Sequence, residues 1–267
     1  MTPTSSGNRH ILITGASGGI GAAVTLALAG RATRLTLVAR DPARLQALAR
    51  QVEPKAAGVR VLAADLAATA HFEPLIAAAT AEQGPIDVLV NGAGVNAFKR
   101  LADTGPDAIG AIVATNILAP MLLSRAVLPQ MLARRRGRIV NIGSVMGGVG
   151  FAGFSAYCAS KFAIRGFSEA LRRELAGSGV AVTYVAPRYT RTALNSPAMD
   201  RMAKAVKMNI DAPEAVARAI VAAIDGGKAE HAVGFVERIL IRANALFPRL
   251  VDGALASLNR RMLEHAE

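Results

Sequence analysis

The chain holds a single cysteine, Cys158, so no internal disulfide can form, a composition that fits a reducing compartment. Its four histidines, His10, His71, His231 and His265, are scattered without ligand spacing, and no metal site is expected. Tryptophan is absent and aromatic residues total 4%, too little for the stacking surfaces of a nucleic-acid binder; no nucleic-acid module is recognisable either. No apolar run reaches the roughly 18–20 residues of a membrane-spanning helix. The segment Met1 to His10 is short and polar, without an apolar signal core. The expected location is cytoplasmic, or peripheral at the inner membrane surface. Acidic residues are few: 19 against 31 Lys and Arg, a net charge of +12. Such a balance suits nucleic acid, an anionic membrane surface or a phosphate-rich cofactor. The arginines are spread along the chain, which also reads as a solvated basic surface.

What is abundant is apolar sequence, 52% of 267 residues, enough for one large α/β domain with a substantial core. Short apolar runs alternate with longer segments of helical period. Strands are expected at Ile11–Thr14, Leu35–Ala39, Val59–Ala63, Ile86–Val90, Arg138–Ile142, Val180–Val185 and His231–Phe235. Alternation of this kind implies right-handed crossovers and a doubly wound parallel sheet of about seven strands, with helices on both faces. The runs are continuously apolar, as strands covered on both faces should be. No repeat or linker interrupts residues 1–267, so one domain is expected.

The first strand ends in Thr14-Gly15-Ala16-Ser17-Gly18-Gly19-Ile20-Gly21, and a helical segment follows at once. Glycine permits the tight turn and lets backbone N–H groups approach a pyrophosphate at a helix N-terminus. After the second strand come Arg40 and Asp41. Arginine there suits the 2′-phosphate of NADP(H), whereas a carboxylate suits the ribose of NAD(H). Arg40 leads, so NADP(H) is preferred and NAD(H) is the alternative. Asp41 reads also as the N-cap of a helix opening at Pro42. Asp65, after the third strand, is either an N-cap or a partner for an adenine amino group. Asn91-Gly92-Ala93-Gly94 ends the fourth strand with small residues that let a flat ligand approach the backbone. Asn116 lies inside a long helical segment, Thr104 to Arg134, where a polar group among apolar neighbours needs a partner.

Ser144 follows the fifth strand, and Tyr157 and Lys161 lie four residues apart on the expected helix beginning near Phe154. That spacing stacks phenol and ammonium on one face. A fixed positive charge favours phenolate, and a phenol so poised can exchange a proton with a carbonyl or alcohol near neutral pH. Alone, the pair reads equally as a buried tyrosine beside a snorkelling lysine. Cys158 points about 100° away from Tyr157 and has no part in this chemistry.

Taken in order, Gly15/Gly19/Gly21, Asp65, Asn91–Gly94, Asn116, Ser144 and Tyr157 with Lys161 make the chain resemble the short-chain dehydrogenase/reductase family. The likeness is to its compact branch of about 250 residues, and it covers roughly residues 9–236. The resemblance implies a Rossmann-type fold and a homodimer or homotetramer, assembled through the helices holding Asn116 and Tyr157. It implies an NADP(H)-dependent oxidoreductase interconverting a carbonyl and a secondary alcohol of a small molecule. Tyr157 would be the acid/base, Lys161 would tune it and hold the nicotinamide ribose, Ser144 would bind the substrate oxygen, and Asn116 would hold a relay water. Gly15, Ser17, Gly19, Ile20, Gly21, Arg40, Asp65, Leu66, Asn91, Gly92 and Ala93 would bind cofactor, together with Tyr157 and Lys161. A catalytically silent NADP(H)-binding sensor or scaffold is the competing reading, disfavoured by the intact Ser144, Tyr157, Lys161 and Asn116.

Two regions depart from the family. After the sixth strand the usual Pro-Gly is Pro187-Arg188, with Thr192 where a threonine usually meets the nicotinamide amide; Pro187 and Thr192 are cofactor-binding candidates. Arg188 and Arg191 could meet an acidic substrate or a cofactor phosphate, or lie in a solvated loop. Residues 190–208 form the expected lid, with Ala193, Leu194, Met199, Met202 and Val206 as apolar cover. The second departure is an extension of about 30 residues after Val236. Pro248 should break it into two helices. Its apolar face flanked by arginines could pack on its own domain, meet a subunit or lie on a membrane surface; a membrane-facing tail would fit a hydrophobic or lipid-like substrate.

Overall fold

The computed structural model describes residues 8–68, 71–227 and 229–266; residues 1–7, most of the short polar segment Met1 to His10, lie outside it. Seven parallel strands form one sheet in the order β3-β2-β1-β4-β5-β6-β7. They are β1 (His10–Thr14), β2 (Arg34–Ala39), β3 (Gly58–Ala63), β4 (Val88–Asn91), β5 (Gly137–Ile142), β6 (Val180–Ala186) and β7 (Glu230–Ala232). The helices are α1 (Gly19–Ala29), α2 (Pro42–Val52), α3 (Glu73–Gln83), α4 (Pro106–Val113), α5 (Ala119–Ala133) and α6 (Ser155–Glu174). After them come α7 (Pro197–Ala205), α8 (Pro213–Gly226), α9 (Phe235–Leu246) and α10 (Pro248–Leu263).

Alternation along each strand divides the core into two layers. Ile11 and Ile13 face α1, α2 and α8, packing against Val24, Leu28, Leu45 and Ile220. Leu12 faces the other way, toward Ile76, Leu123, Val127 and Leu171 of α3, α5 and α6. Local signals set several boundaries. Asp41 caps α2 through the Arg44 N–H at 3.1 Å, with Pro42 in the first turn. Ser196 caps α7 through Met199 N–H at 3.2 Å.

One expectation needs correction. The last strand is Glu230–Ala232, not His231–Phe235: Gly234 has φ +100 and turns the chain, so Phe235 opens α9. In line with the expected helical segment Thr104 to Arg134, α4 and α5 run on through a π-helical turn, Ala114–Leu118, as one helix from Pro106 to Ala133. By length and composition that helix could cross a membrane, although no single apolar run stood out in the sequence. Here it covers the sheet, with 44% of its most apolar window buried. Arg188 does not take the left-handed backbone open to glycine.

Candidate active site

The order reverses between β1 and β4, which leave in opposite directions across the sheet, and a cleft opens at their C-terminal ends. The Gly-rich turn forms its floor. Gly15 takes φ +67, and a Cβ there would lie 2.7 Å from the Ala93 backbone. Thr14 fastens the two strand ends: its Oγ1 accepts from Gly92 N–H at 3.1 Å and Ala93 N–H at 3.3 Å. The first turn of α1 has no side-chain cap, so its N–H groups remain available to an anion. Gly15, Ser17, Gly19, Ile20, Gly21, Arg40, Asp65, Leu66, Gly92, Ala93, Tyr157, Lys161 and Thr192 all line this cleft of about 310 Å³.

Some predicted residues fall elsewhere. Asn91 turns away: its amide nitrogen donates to Asn141 Oδ1 at 2.8 Å, in a buried polar cluster under the strand ends. Pro187 lines the neighbouring cavity rather than the cleft. Asp41 and Asp65 do line the cleft, but Asp41 also caps α2 and Asp65 accepts from Ala67 N–H at 3.0 Å. Sequence reasoning missed Arg44. It lines the cleft beside Arg40 and donates to the Ser17 carbonyl at 3.3 Å. Its position one helical turn after Asp41 was the available signal. Two exposed guanidinium groups at this rim, an uncapped helix N-terminus and a turn with no room for side chains fit a dinucleotide.

Tyr157 projects from α6 into the junction between the cleft and a second cavity of about 320 Å³, and Lys161 lines the cleft side. The Lys161 Nζ lies 5.5 Å from the Tyr157 ring centroid and donates to the Ile142 carbonyl at 3.2 Å. Burial lowers the Lys161 pKa to about 8. Burial also pushes the Tyr157 phenol above its ordinary range, although the side chain keeps some exposure, while the Ser144 side chain acts in the opposite sense. The expectation of a depressed Tyr157 pKa is therefore corrected: it is raised, and burial is the largest cause. Ser144 Oγ accepts from Met146 N–H at 3.1 Å. Its backbone is gripped on both sides by Tyr184, whose phenol donates to the Ser144 carbonyl at 3.1 Å and accepts from its N–H at 3.3 Å. Tyr184 sits on β6 with no local signal of this role.

Asn116 sits within the π-helical turn, a local widening often found at functional sites. Its amide pairs with Val95 in both directions, at 2.9 and 2.8 Å, and donates to Ser160 Oγ at 3.0 Å. Ser160, read from sequence as packing, thus ties Asn116 to the Tyr157 carbonyl, to which its hydroxyl donates at 2.7 Å. Cys158 is buried against Phe98, Phe154 and Met202, as a packing residue.

The second cavity is mostly apolar. Met146, Phe151, Leu194, Met199, Leu240 and Leu258 are among its walls. Leu240 and Leu258 belong to α9 and α10, so the C-terminal extension packs on its own chain and helps enclose this space. Arg188 explains the junction. It forms a bidentate pair with Asp211 at 2.7 and 2.8 Å and reaches Glu237 of α9 at 3.4 Å. These partners raise its pKa further and occupy its guanidinium, which corrects the expectation that it meets an acidic substrate or a cofactor phosphate. Arg191 lines neither space.

Known proteins share this arrangement. The pattern of the short chain dehydrogenase family matches residues 9–203. A ketoacyl reductase, HetN, of a Nostoc species is 35% identical over 254 residues, covering 91% of this chain and 87% of that protein. The 3-oxoacyl-[acyl-carrier-protein] reductase FabG of Escherichia coli is 35% identical over 181 residues, 68% of this chain and 73% of that one. Among solved structures, a short-chain dehydrogenase from Sphingobium yanoikuyae in complex with NADPH superposes with TM-score 0.76 at 29% identity. It covers 91% of this chain and 96% of its own.

Proposed function

The chain belongs to the short-chain dehydrogenase/reductase family, and from that premise we propose that it reduces a hydrophobic ketone to a secondary alcohol with NADPH, and runs the reverse oxidation. As a family member it is an oxidoreductase of CH–OH and C=O groups that uses a nicotinamide cofactor. The observation that carries the finer reading is the meeting of two spaces at one phenol. Ile20, Gly143, Tyr157, Thr192 and Leu194 line both the glycine-floored cleft and the apolar cavity.

In this reading the α1 N-terminus holds the pyrophosphate, Arg40 and Arg44 hold the 2′-phosphate, and Lys161 and Thr192 hold the nicotinamide end. A reduced nicotinamide bound there supplies the hydride. Ser144 donates a hydrogen bond to the carbonyl oxygen, and Tyr157 gives that oxygen its proton as negative charge develops. A phenol whose pKa is raised by burial keeps its proton at neutral pH, as a donor must. With its pKa at about 8, Lys161 is still largely charged at pH 7 and stabilises the phenolate left after transfer. Asn116 fixes the Val95 loop and, through Ser160, the backbone at Tyr157; with Lys161 it borders Gly94, where the returning proton would enter. The apolar walls favour a hydrophobic or lipid-like ketone. Val113, Leu118 and Phe162 expose apolar surface on the helices around Asn116 and Tyr157, which supports assembly into a homo-oligomer.

The test is a panel of aliphatic and aromatic ketones with NADPH, for wild type and Tyr157→Phe. Turnover is expected to fall by two orders of magnitude or more in the variant, with NADPH binding retained. NADPH binding by the wild type without turnover of any ketone would favour the silent sensor instead.

A further inference from the structure

The last two helices carry an apolar surface left exposed among the described residues. At 100° per residue, Phe235, Ile239 and Leu246 of α9 fall within one narrow arc, away from the inward-facing Leu240 and Ile241. They are 69%, 52% and 71% exposed. Phe247 and Leu250 continue the patch at the α9–α10 corner, 58% and 72% exposed. Val236, about 60° further round the helix than Ile239, is 68% exposed and also lines the apolar cavity, so the patch lies next to the cavity's rim. Isolated exposed apolar residues are ordinary, but six within this short stretch form a continuous surface.

The charges around it have one dominant sign. Arg238, Arg242 and Arg249 are exposed, and the Arg238 guanidinium lies over the Phe235 ring at 5.5 Å. Glu237 is drawn inward to Arg188, and Asp252 of α10 is an exposed carboxylate. We propose that this face docks on an anionic phospholipid surface, with the apolar arc entering the headgroup boundary, the arginines meeting lipid phosphates, and substrate passing from the bilayer past Val236. A second copy is a poorer occupant: a two-fold pairing would set these arginines against one another, on a chain already carrying +12. The proposal rests on the reductase reading only for what enters the cavity.

The experiment is flotation of the full chain with vesicles of phosphatidylcholine alone, or with about a third phosphatidylglycerol. Binding to the anionic vesicles is expected to be stronger by roughly tenfold or more and to weaken with salt. A variant carrying Ile239→Gln, Leu246→Gln, Phe247→Gln and Leu250→Gln should lose it while keeping the wild-type circular-dichroism melt. A second variant, Arg238→Gln with Arg242→Gln and Arg249→Gln, should lose the anionic preference. Wild type that floats with neither vesicle overturns the proposal, as does undiminished binding by the first variant. A dimer that becomes monomeric in the first variant would assign the face to a second copy and also overturn it. Turnover of a short soluble ketone is read in parallel. Turnover without flotation overturns docking alone; flotation without turnover overturns the reductase reading alone.

Discussion

Replacing Lys161 by methionine should make this protein more stable while disabling it. The Lys161 side chain is 5% exposed, its Nζ has one backbone partner at 3.2 Å, and it forms no ion pair among the described residues. Burial brings its pKa to about 8 in the folded protein. The unfolded chain, with a value near 10.5, holds the proton more tightly. Stability attached to this group is therefore lowest below pH 8 and rises as pH climbs toward 10.5. Keeping the ammonium folded costs about 3 kcal/mol at pH 7 and about 1.5 kcal/mol at pH 9.5. Methionine fills similar volume without the charge but leaves the Ile142 carbonyl without its donor, a loss of about 1 kcal/mol. The expected net gain is about 2 kcal/mol at pH 7, or roughly 5 °C in melting temperature, shrinking to near zero at pH 9.5. The upper limit matters, because burial raises Tyr157 and Tyr184, the latter to about 12, and such groups lose stability above pH 10. Urea titrations of both proteins at the two pH values measure the difference, and ketone turnover should fall at least a hundredfold. A variant less stable than wild type at pH 7, or a stability difference unchanged at pH 9.5, refutes the reasoning.

Three further outcomes are expected. Arg40→Ala with Arg44→Ala should weaken NADPH binding by tenfold or more while leaving NADH within about threefold; fluorescence titration with both cofactors decides, and an unchanged ratio rejects the 2′-phosphate assignment. Tyr184→Phe removes the hydroxyl that holds the Ser144 backbone, so kcat should drop about tenfold with cofactor affinity intact; wild-type kcat in that variant would show that Ser144 needs no such support. Burial holds the His10 pKa below its ordinary value, against the Gly84 carbonyl and Asp87, which raise it, and with Arg34 and Arg134, which lower it. Unfolded His10 takes up its proton first as pH falls below about 6.5, so stability should decline from there. His10→Gln should flatten that decline between pH 7 and pH 5, and an equal slope in both proteins would place its source elsewhere.

Features written in nearby residues were legible in the sequence. Seven apolar runs separated by helical segments gave the parallel sheet, because strand and helix periods are local properties. The glycine turn after β1 was readable because only glycine tolerates φ +67 and the Ala93 backbone so close. Tyr157 and Lys161 were found because a helix brings residues four apart together wherever it packs. Pro248 marked the α9–α10 break, since proline has no N–H to give and suits a first turn. Only the tertiary structure decided what depends on residues distant in the chain. It joined Arg188 to Asp211 and Glu237, and so turned a residue in glycine's usual place into an anchor for the extension. It set Tyr184 behind Ser144, sent Asn91 into the polar cluster under the sheet, and brought Leu240 and Leu258 to the substrate-side cavity. It also buried Tyr157, which raises the phenol's pKa, with the Ser144 side chain acting in the opposite sense. Burial is a sum over every element that surrounds a group, and no local spacing in the sequence encodes that sum.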